Sequence, residues 1–141
     1  MTNYHQDFYT WTQQQAALLR NGRLHELDIT NLLEEVEDMG KSQRNQLENR
    51  LKQLLLHLLK WHYQPNMRTR SWLLSIKEQR LKVAQVLRKN PGLKPELADL
   101  VTDAYELAKL GAAKQTGLDE SIFPEVCPWT MVEVLTEDWL P

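Results

Sequence analysis

The stretch Leu51-Lys52-Gln53-Leu54-Leu55-Leu56-His57-Leu58-Leu59-Lys60-Trp61 decides the fold of this chain. Its leucines recur at spacings of three and four, the period of an α-helix, and Leu56 and Leu59 add apolar positions outside the main face. We therefore predict a helix over about 42–63 that is apolar around much of its circumference and lies centrally in a helical bundle. The apolar run 54–59 is far shorter than the ~20 residues that a membrane-spanning helix needs.

The rest of the chain also has a helical pattern. β-branched residues are few, no stretch alternates cleanly between apolar and polar residues, and Gly and Pro fall between the periodic segments. The predicted fold is all-α, a compact single-domain helical bundle over residues 1–141. It has about five main helices and a short C-terminal helix, with approximate bounds 8–21, 29–39, 42–63, 70–89, 95 to 111 or 117, and 131–135.

The second predicted helix begins after Asp28, whose carboxylate suits the position that caps a helix N-terminus. The apolar residues of this helix share one face, so we expect that face to be buried. They are Ile29, Leu32, Val36 and Met39. Gly40 follows the last of them and is predicted to end the helix.

Charge is sorted along the chain into three blocks. Residues 1–40 carry two basic and seven acidic side chains, residues 41–95 carry thirteen and two, and residues 96–141 carry two and ten. The net charges of the blocks are −5, +11 and −8, whereas the whole chain is at −2. A basic block of this kind is either neutralised by acidic helices of the same protein or meets an external polyanion.

Arg80 departs most clearly from the apolar pattern of the fourth predicted helix. It lies between Ile76 and Val83, inside the apolar stripe. A guanidinium keeps its charge, and an unpaired buried charge costs several kcal/mol, so we expect Arg80 to be mostly buried and paired with a carboxylate. Glu35, at the edge of the second helix's apolar stripe, is the predicted partner. The pair is interpreted as a structural ion pair or, alternatively, as part of a functional charged pocket.

His57 lies at the edge of the core face of the helix 42–63, near Trp61 and on the same side as Arg50. Burial and that cation both disfavour a charged imidazole, so we expect a lowered pKa and a neutral ring. Its N–H is expected to meet a backbone carbonyl or a carboxylate of the second helix. A general base or a metal ligand is the alternative, but no HxxxH, HExxH or CxxC spacing occurs, and we predict neither metal nor cofactor.

The connection between the third and fourth helices interleaves cations with aromatic residues. Single-stranded nucleic acid is bound by such a combination, with arginines on phosphates and rings under bases. The candidate surface consists of Tyr63, Arg68, Arg70 and Trp72. The cations of the fourth helix, however, are spread around its circumference instead of gathering on one side, so an exposed hairpin that closes the core is the competing interpretation.

Short motifs along nearly the whole chain resemble, in their order, a bacterial family, domain-of-unknown-function family twenty-nine. They are Asp7-x-x-x-Trp11, Leu33-Glu34-Glu35-Val36-Glu37-Asp38-Met39-Gly40, His57-Leu58-Leu59-Lys60-Trp61, Arg70-Ser71-Trp72, Gln79-Arg80 and Cys127-Pro128-Trp129. The resemblance implies a compact all-helical fold. It implies no established activity, substrate or cofactor, so there are no catalytic residues to carry over.

Three functions fit these features. The first is a non-enzymatic interaction or scaffold protein whose acidic blocks neutralise the basic block, with protein partner and oligomeric state open. The second is a nucleic-acid-binding module that uses residues 41–95, and the third is a small enzyme with a polar pocket of Glu35, His57 and Arg80. We favour the first, with no membrane association. A cytoplasmic setting is expected because Cys127 is the only cysteine and the N-terminus lacks the pattern of a signal peptide.

Overall fold

The computed structural model describes residues 3–141; Met1 and Thr2, which the single-domain prediction includes, lie outside the described residues. The helices are α1 (Phe8–Arg20), α2 (Ile29–Tyr63), α3 (Arg70–Lys89), α4 (Leu97–Thr116) and α5 (Met131–Leu135). Short 3-10 segments lie at Leu24–Glu26, Pro65–Met67, Pro91–Glu96 and Glu120–Ile122. No strand occurs between residues 3 and 141, and the all-α prediction is confirmed.

The chain separates into two compact units, one that ends at Ser42 and one that spans Gln43–Pro141. The helix α2 runs through this boundary, so its first part belongs to the first unit and the remainder to the second. A compact unit of this kind is not the same as an independently folding domain. The single-domain assignment therefore stays a prediction.

The first unit is organised around the indole of Trp11 on α1. Asp7 caps α1 by accepting a hydrogen bond from the Thr10 amide at 3.0 Å. The buried Trp11 donates from Nε1 to Asp28 Oδ2 at 2.9 Å, and the Asp28 amide donates to Gln15 Oε1 at 2.8 Å. Asp28, just before α2, is thus held by two side chains of α1.

Two predictions about the start of α2 are wrong. Gly40 does not end the helix, which continues for 35 residues to Tyr63. A glycine in a helix interior costs only about 0.5–1 kcal/mol relative to alanine, and Gly40 lacks the positive φ that Gly22 and Gly117 adopt after helix ends. The expected inward face is also largely exposed, because within residues 3–42 only α1 and one 3-10 turn accompany this part of α2.

The core of the second unit is built on the second half of α2, which confirms the central place predicted for this helix. Every leucine of α2 from residue 47 onward is buried, including Leu56 and Leu59 on the additional faces. Ile76 and Val83 of α3 and a buried row on α4 complete the core. The row consists of Leu97, Leu100, Val101, Ala104, Tyr105, Ala108 and Ala112.

The helix ends of the second unit follow local chemistry. Thr69 caps α3 by accepting from the Trp72 amide at 3.3 Å, and Gly117 ends α4 in the left-handed conformation. The fifth helix is predicted to begin at residue 95, but Pro95 lies in a 3-10 segment and α4 begins at Leu97. In the described part of the chain, none of the helices combines the length and the apolar character needed to span a membrane.

Candidate functional site

Arg80 binds the C-terminal segment, which we define as residues 130–141, and not a carboxylate. Its Nε donates to the Val134 carbonyl at 2.9 Å and its Nη2 donates to the Trp139 carbonyl at 2.7 Å. Within the second unit Arg80 forms no ion pair, so the expected carboxylate partner is absent there, and the pairing with Glu35 of the first unit stays a prediction. Backbone carbonyls supply the partial negative charges that the half-buried guanidinium needs. Burial lowers the pKa of Arg80, and the nearby charge of Asp138 opposes this effect.

The other two members of the predicted polar pocket have partners of their own. Glu35 accepts a hydrogen bond from the Tyr4 hydroxyl within the first unit. That hydrogen bond to the carboxylate is the main reason that the pKa of Tyr4 is raised to about 12. Glu35, His57 and Arg80 therefore each have a separate set of hydrogen-bond partners.

His57 is half-buried and its ring nitrogen Nδ1 lies 2.7 Å from the carbonyl of Gln53, one turn earlier on α2. For this contact to be a hydrogen bond, Nδ1 carries the proton and donates it. Burial lowers the pKa of His57, and the charge of Lys60 acts in the same direction while Glu78 opposes it. The neutral ring and its carbonyl partner agree with the sequence-based expectation, although Lys60 takes the part that was expected of Arg50.

The aromatic rings near the predicted nucleic-acid surface already have partners inside the protein. Lys60 Nζ lies 4.6 Å from the centre of the Trp72 ring, and the Tyr63 ring packs edge-on against Phe123 at 5.2 Å. Arg68 stacks over Trp61 at 4.7 Å and donates from Nε to the Trp61 carbonyl at 2.8 Å. Arg70, at the first position of α3, is exposed. These contacts occupy most of the cations and rings that nucleic-acid binding would need. The same groups instead pack against each other at the end of the α2–α3 helix pair.

An apolar groove lies between α3 and the C-terminal segment, and we call it the C-terminal groove. Its volume is about 380 Å³. Leu73, Leu81 and Leu140 keep 40%, 56% and 36% of their surface exposed. The full lining consists of Leu73, Leu74, Ile76, Lys77, Arg80, Leu81, Ala84, Leu135, Glu137, Asp138 and Leu140. Sequence periodicity did not predict this groove, because its second wall comes from a tail about sixty residues away along the chain.

A second exposed apolar surface lies on the first part of α2. We call it the acidic stripe, after the carboxylates that flank its apolar residues. It consists of Ile29, Leu33, Val36 and Met39, which are 62%, 57%, 57% and 62% exposed. Helical spacing places these residues on one side of α2. Acidic side chains flank them, and Leu33, Glu34, Glu37 and Asp38 line a shallow depression of about 190 Å³.

Gln79 is a buried polar residue that sequence reasoning did not single out as a site. It is 8% exposed, and its side-chain oxygen Oε1 has no hydrogen-bond partner within the described residues. Its position between Ile76 and Val83, three and four residues away, is the signal that places it on the core face of α3.

The described residues offer little for metal binding or nucleophilic chemistry. Over residues 3–141, no group of three or more His, Cys, Asp or Glu side chains is arranged to hold a metal ion. Cys127 is half-buried and its Sγ lies 3.5 Å from the Trp129 carbonyl. Burial raises the pKa of the Cys127 thiol, which disfavours the reactive thiolate.

Comparison with known proteins gives one match. No curated protein and no solved structure matches the chain. The family model "Domain of unknown function DUF29" matches residues 3–140, which is nearly the whole chain and agrees with the resemblance of its ordered motifs. The chain therefore belongs to the DUF29 family.

Proposed function

We propose that this protein is a non-enzymatic helical interaction protein whose acidic stripe binds a basic amphipathic helix of a partner protein. The observation that carries this proposal is the exposure of Ile29, Leu33, Val36 and Met39 on one side of α2. Each of these side chains exposes more than half of its surface. Exposed apolar residues are ordinary when scattered singly, but a contiguous row on one helix is typical of an interaction surface.

The apolar row supplies the affinity of such a contact. Covering the exposed part of a large aliphatic side chain contributes about 1 kcal/mol or more, and the four side chains act together. An amphipathic helix with anchors three and four residues apart has the spacing that packs against this row.

The charges beside the row select the partner. Glu34, Glu37 and Asp38 line the depression beside Leu33 together with one cation, Lys41, and the block 1–40 has a net charge of −5. A partner helix with lysines or arginines beside its apolar face gains favourable charge contacts there, whereas an acidic helix is repelled. We therefore expect a basic partner and an association rate that falls with added salt.

The proposal includes a cytoplasmic location. Its support is the single cysteine, Cys127, which has no second cysteine with which to form an intramolecular disulfide. Proteins of reducing compartments commonly have this composition.

Direct binding tests the proposal. A fluorescein-labelled helical peptide of leucine and lysine is titrated with the protein and followed by anisotropy, beside a matched peptide in which glutamate replaces lysine. We expect only the basic peptide to bind. The substitution Leu33→Lys should weaken its binding about tenfold or more, because it removes an anchor and adds a repelling charge.

The matched control is Leu107→Lys, which changes an equally large, 49% exposed leucine on α4. Equal binding losses for the two variants, or equal binding of the two peptides, would contradict the proposal. Photo-crosslinking in cells from positions 36 and 107 then identifies natural partners, and we expect position 36 to capture basic helical segments selectively. Self-association that Leu33→Lys abolishes would identify a second copy as the occupant instead.

One observation keeps nucleic-acid binding as a second candidate. Of the thirteen basic side chains in residues 41–95, only Arg44, with Glu96, and Lys82, with Glu78, form ion pairs among the described residues. Arg44–Glu96 is the single ion pair there that joins the basic block to the C-terminal acidic block. Ion pairs between the basic block and the C-terminal acidic block are therefore sparse, and exposed cations such as Arg70 are candidates for contact with a polyanion.

A further inference from the structure

The C-terminal groove differs from the acidic stripe in both shape and charge. We propose that it binds a single-chain amphiphile with an anionic head, of which a medium-chain carboxylate is the simplest example. The head group lies at Arg80 and the chain lies along the leucines of α3. This inference is independent of the partner proposed for the acidic stripe, because the two surfaces share no residue.

The size and lining of the groove fit a small apolar ligand. Its volume of about 380 Å³ falls in the range of small-molecule sites, which is about 300–1,000 Å³. Seven of the eleven lining residues are Leu, Ile or Ala. An alkyl chain that covers the exposed parts of Leu73, Leu81 and Leu140 removes apolar surface of both molecules from water.

The polar groups of the groove are arranged by depth. Arg80 is half-buried, whereas Lys77, Glu137 and Asp138 are exposed and keep their hydration. A guanidinium has five N–H donors, and the carbonyls of Val134 and Trp139 use two of those of Arg80. Asp138 acts on this cation by its charge but forms no ion pair with it. An anion that reaches the guanidinium therefore gains charge-assisted hydrogen bonds that Asp138 does not supply.

The exposed acids favour a free amphiphile over a membrane surface. Glu137 and Asp138 line the same groove as Arg80, and a flat anionic bilayer meets such exposed charges before it approaches a half-buried cation. A single slender chain instead enters between the walls and presents one anion to Arg80. The acids then select against bulky or multiply charged head groups.

Ligand-observed and methyl-observed NMR titrations test the inference. Sodium decanoate, decyltrimethylammonium bromide and sodium butanoate are added separately to the full chain, each below its micelle-forming concentration. We expect decanoate to shift the methyl signals of Leu73, Leu81 and Leu140. Decyltrimethylammonium should bind about tenfold more weakly because it lacks the anion, and butanoate should bind weakly because it lacks the chain.

Two variants, each of which replaces an alanine with phenylalanine, locate the site. Ala84→Phe adds a ring to the wall of the groove, and we expect it to abolish the decanoate shifts. Ala98→Phe places the same ring on an exposed position of α4 outside the lining and should leave decanoate binding unchanged. Circular dichroism of both variants checks that the fold is retained.

Three results would overturn the inference. Equal affinity for decanoate and decyltrimethylammonium would show that Arg80 does not select the head group. Decanoate binding that survives Ala84→Phe would place the ligand elsewhere. Binding to phosphatidylglycerol vesicles without binding of monomeric decanoate would assign the groove to a membrane surface.

Discussion

Arg80 acts as a clamp between α3 and the C-terminal segment. Replacing it with methionine keeps much of the apolar volume but leaves the carbonyls of Val134 and Trp139 without their donor. Hydrogen bonds from charged groups are each worth about 1.5–3 kcal/mol, so we expect Arg80→Met to lower the free energy of unfolding by roughly 2–3 kcal/mol. Urea unfolding followed by circular dichroism measures this loss, and an unchanged midpoint would show that the clamp contributes nothing.

His57 links stability to pH. Its pKa is lowered by burial, so the unfolded chain takes up a proton at a higher pH than the folded protein does. The stability that the neutral His57 ring contributes to the fold is therefore fully present above the unfolded pKa of about 6.5. It is lost as the pH falls through the lower pKa of the folded protein. Titration of the His57 ring protons by NMR, with the urea-unfolded chain as reference, should give the lower pKa in the folded protein. A folded pKa above the unfolded one would reverse this assignment.

Gln79 is a site at which a polar side chain weakens the core. Its Oε1 is buried without a partner in the part of the chain that the structure describes. Methionine has a similar length and no oxygen to desolvate, so Gln79→Met should raise the free energy of unfolding by about 1 kcal/mol. Gln85→Met, at an exposed position of the same helix, should have little effect. A loss of stability in Gln79→Met would indicate that a bound water or ligand satisfies the amide.

At the scale of whole helices, one glycine tests whether α2 is continuous and another tests how closely α2 packs against α4. Nothing lies within 4 Å of a Cβ added at Gly40, so Gly40→Ala should stabilise α2 by about 0.5–1 kcal/mol. At Gly111 on α4, an added Cβ would lie 2.6 Å from Cδ1 of the buried Leu56. Gly111→Ala should therefore lower stability by roughly 1–3 kcal/mol. Thermal unfolding of both variants decides, and loss of stability in Gly40→Ala would argue against a continuous helix.

Helices with strong local signals could be predicted from sequence. The approximate bounds predicted for α3, 70–89, and for α5, 131–135, agree with the observed ones. The signals at these ends are local, since Thr69 and Thr130 cap the two helices and Asn90-Pro91-Gly92 follows α3. The prediction that Gly40 ends the second helix was wrong because a glycine after an apolar row is typical of a helix end but also occurs inside helices. The outcome there depends on small energy differences that no local pattern displays.

The candidate site was less predictable than the helices. The apolar stripe of α3 correctly drew attention to Arg80, but its partners are backbone carbonyls, which every residue has and no sequence pattern marks. The exposure of Val36 and Met39 was missed for a related reason. Periodicity predicts that residues share a face, but it does not predict whether another element covers that face.

At the scale of the whole molecule, charge segregation predicts the character of any nucleic-acid binding. The rings at the α2–α3 connection are engaged with Lys60, Arg68 and Phe123, so affinity has to come from phosphate contacts. We expect weak binding without sequence preference that falls steeply between low and physiological salt.

Anisotropy with labelled RNA and DNA oligomers at two ionic strengths measures this dependence. Arg70 is exposed, and Arg70→Glu should weaken binding more than Lys114→Glu does, because Lys114 lies outside the basic block. Tight binding that persists at high salt and distinguishes sequences would favour a dedicated nucleic-acid module.

The continuity of α2 has a consequence for how the acidic stripe binds. Starting an isolated helix is unfavourable because several residues must be ordered before the first backbone hydrogen bond rewards them. Residues 29–46 contain no buried side chain, yet they extend a helix whose later turns are fixed in a leucine core. Those turns act as a template, so the stripe grows from an existing helix and avoids the nucleation cost. The backbone of the stripe is then ordered before a partner binds, so binding does not include the entropy cost of ordering it.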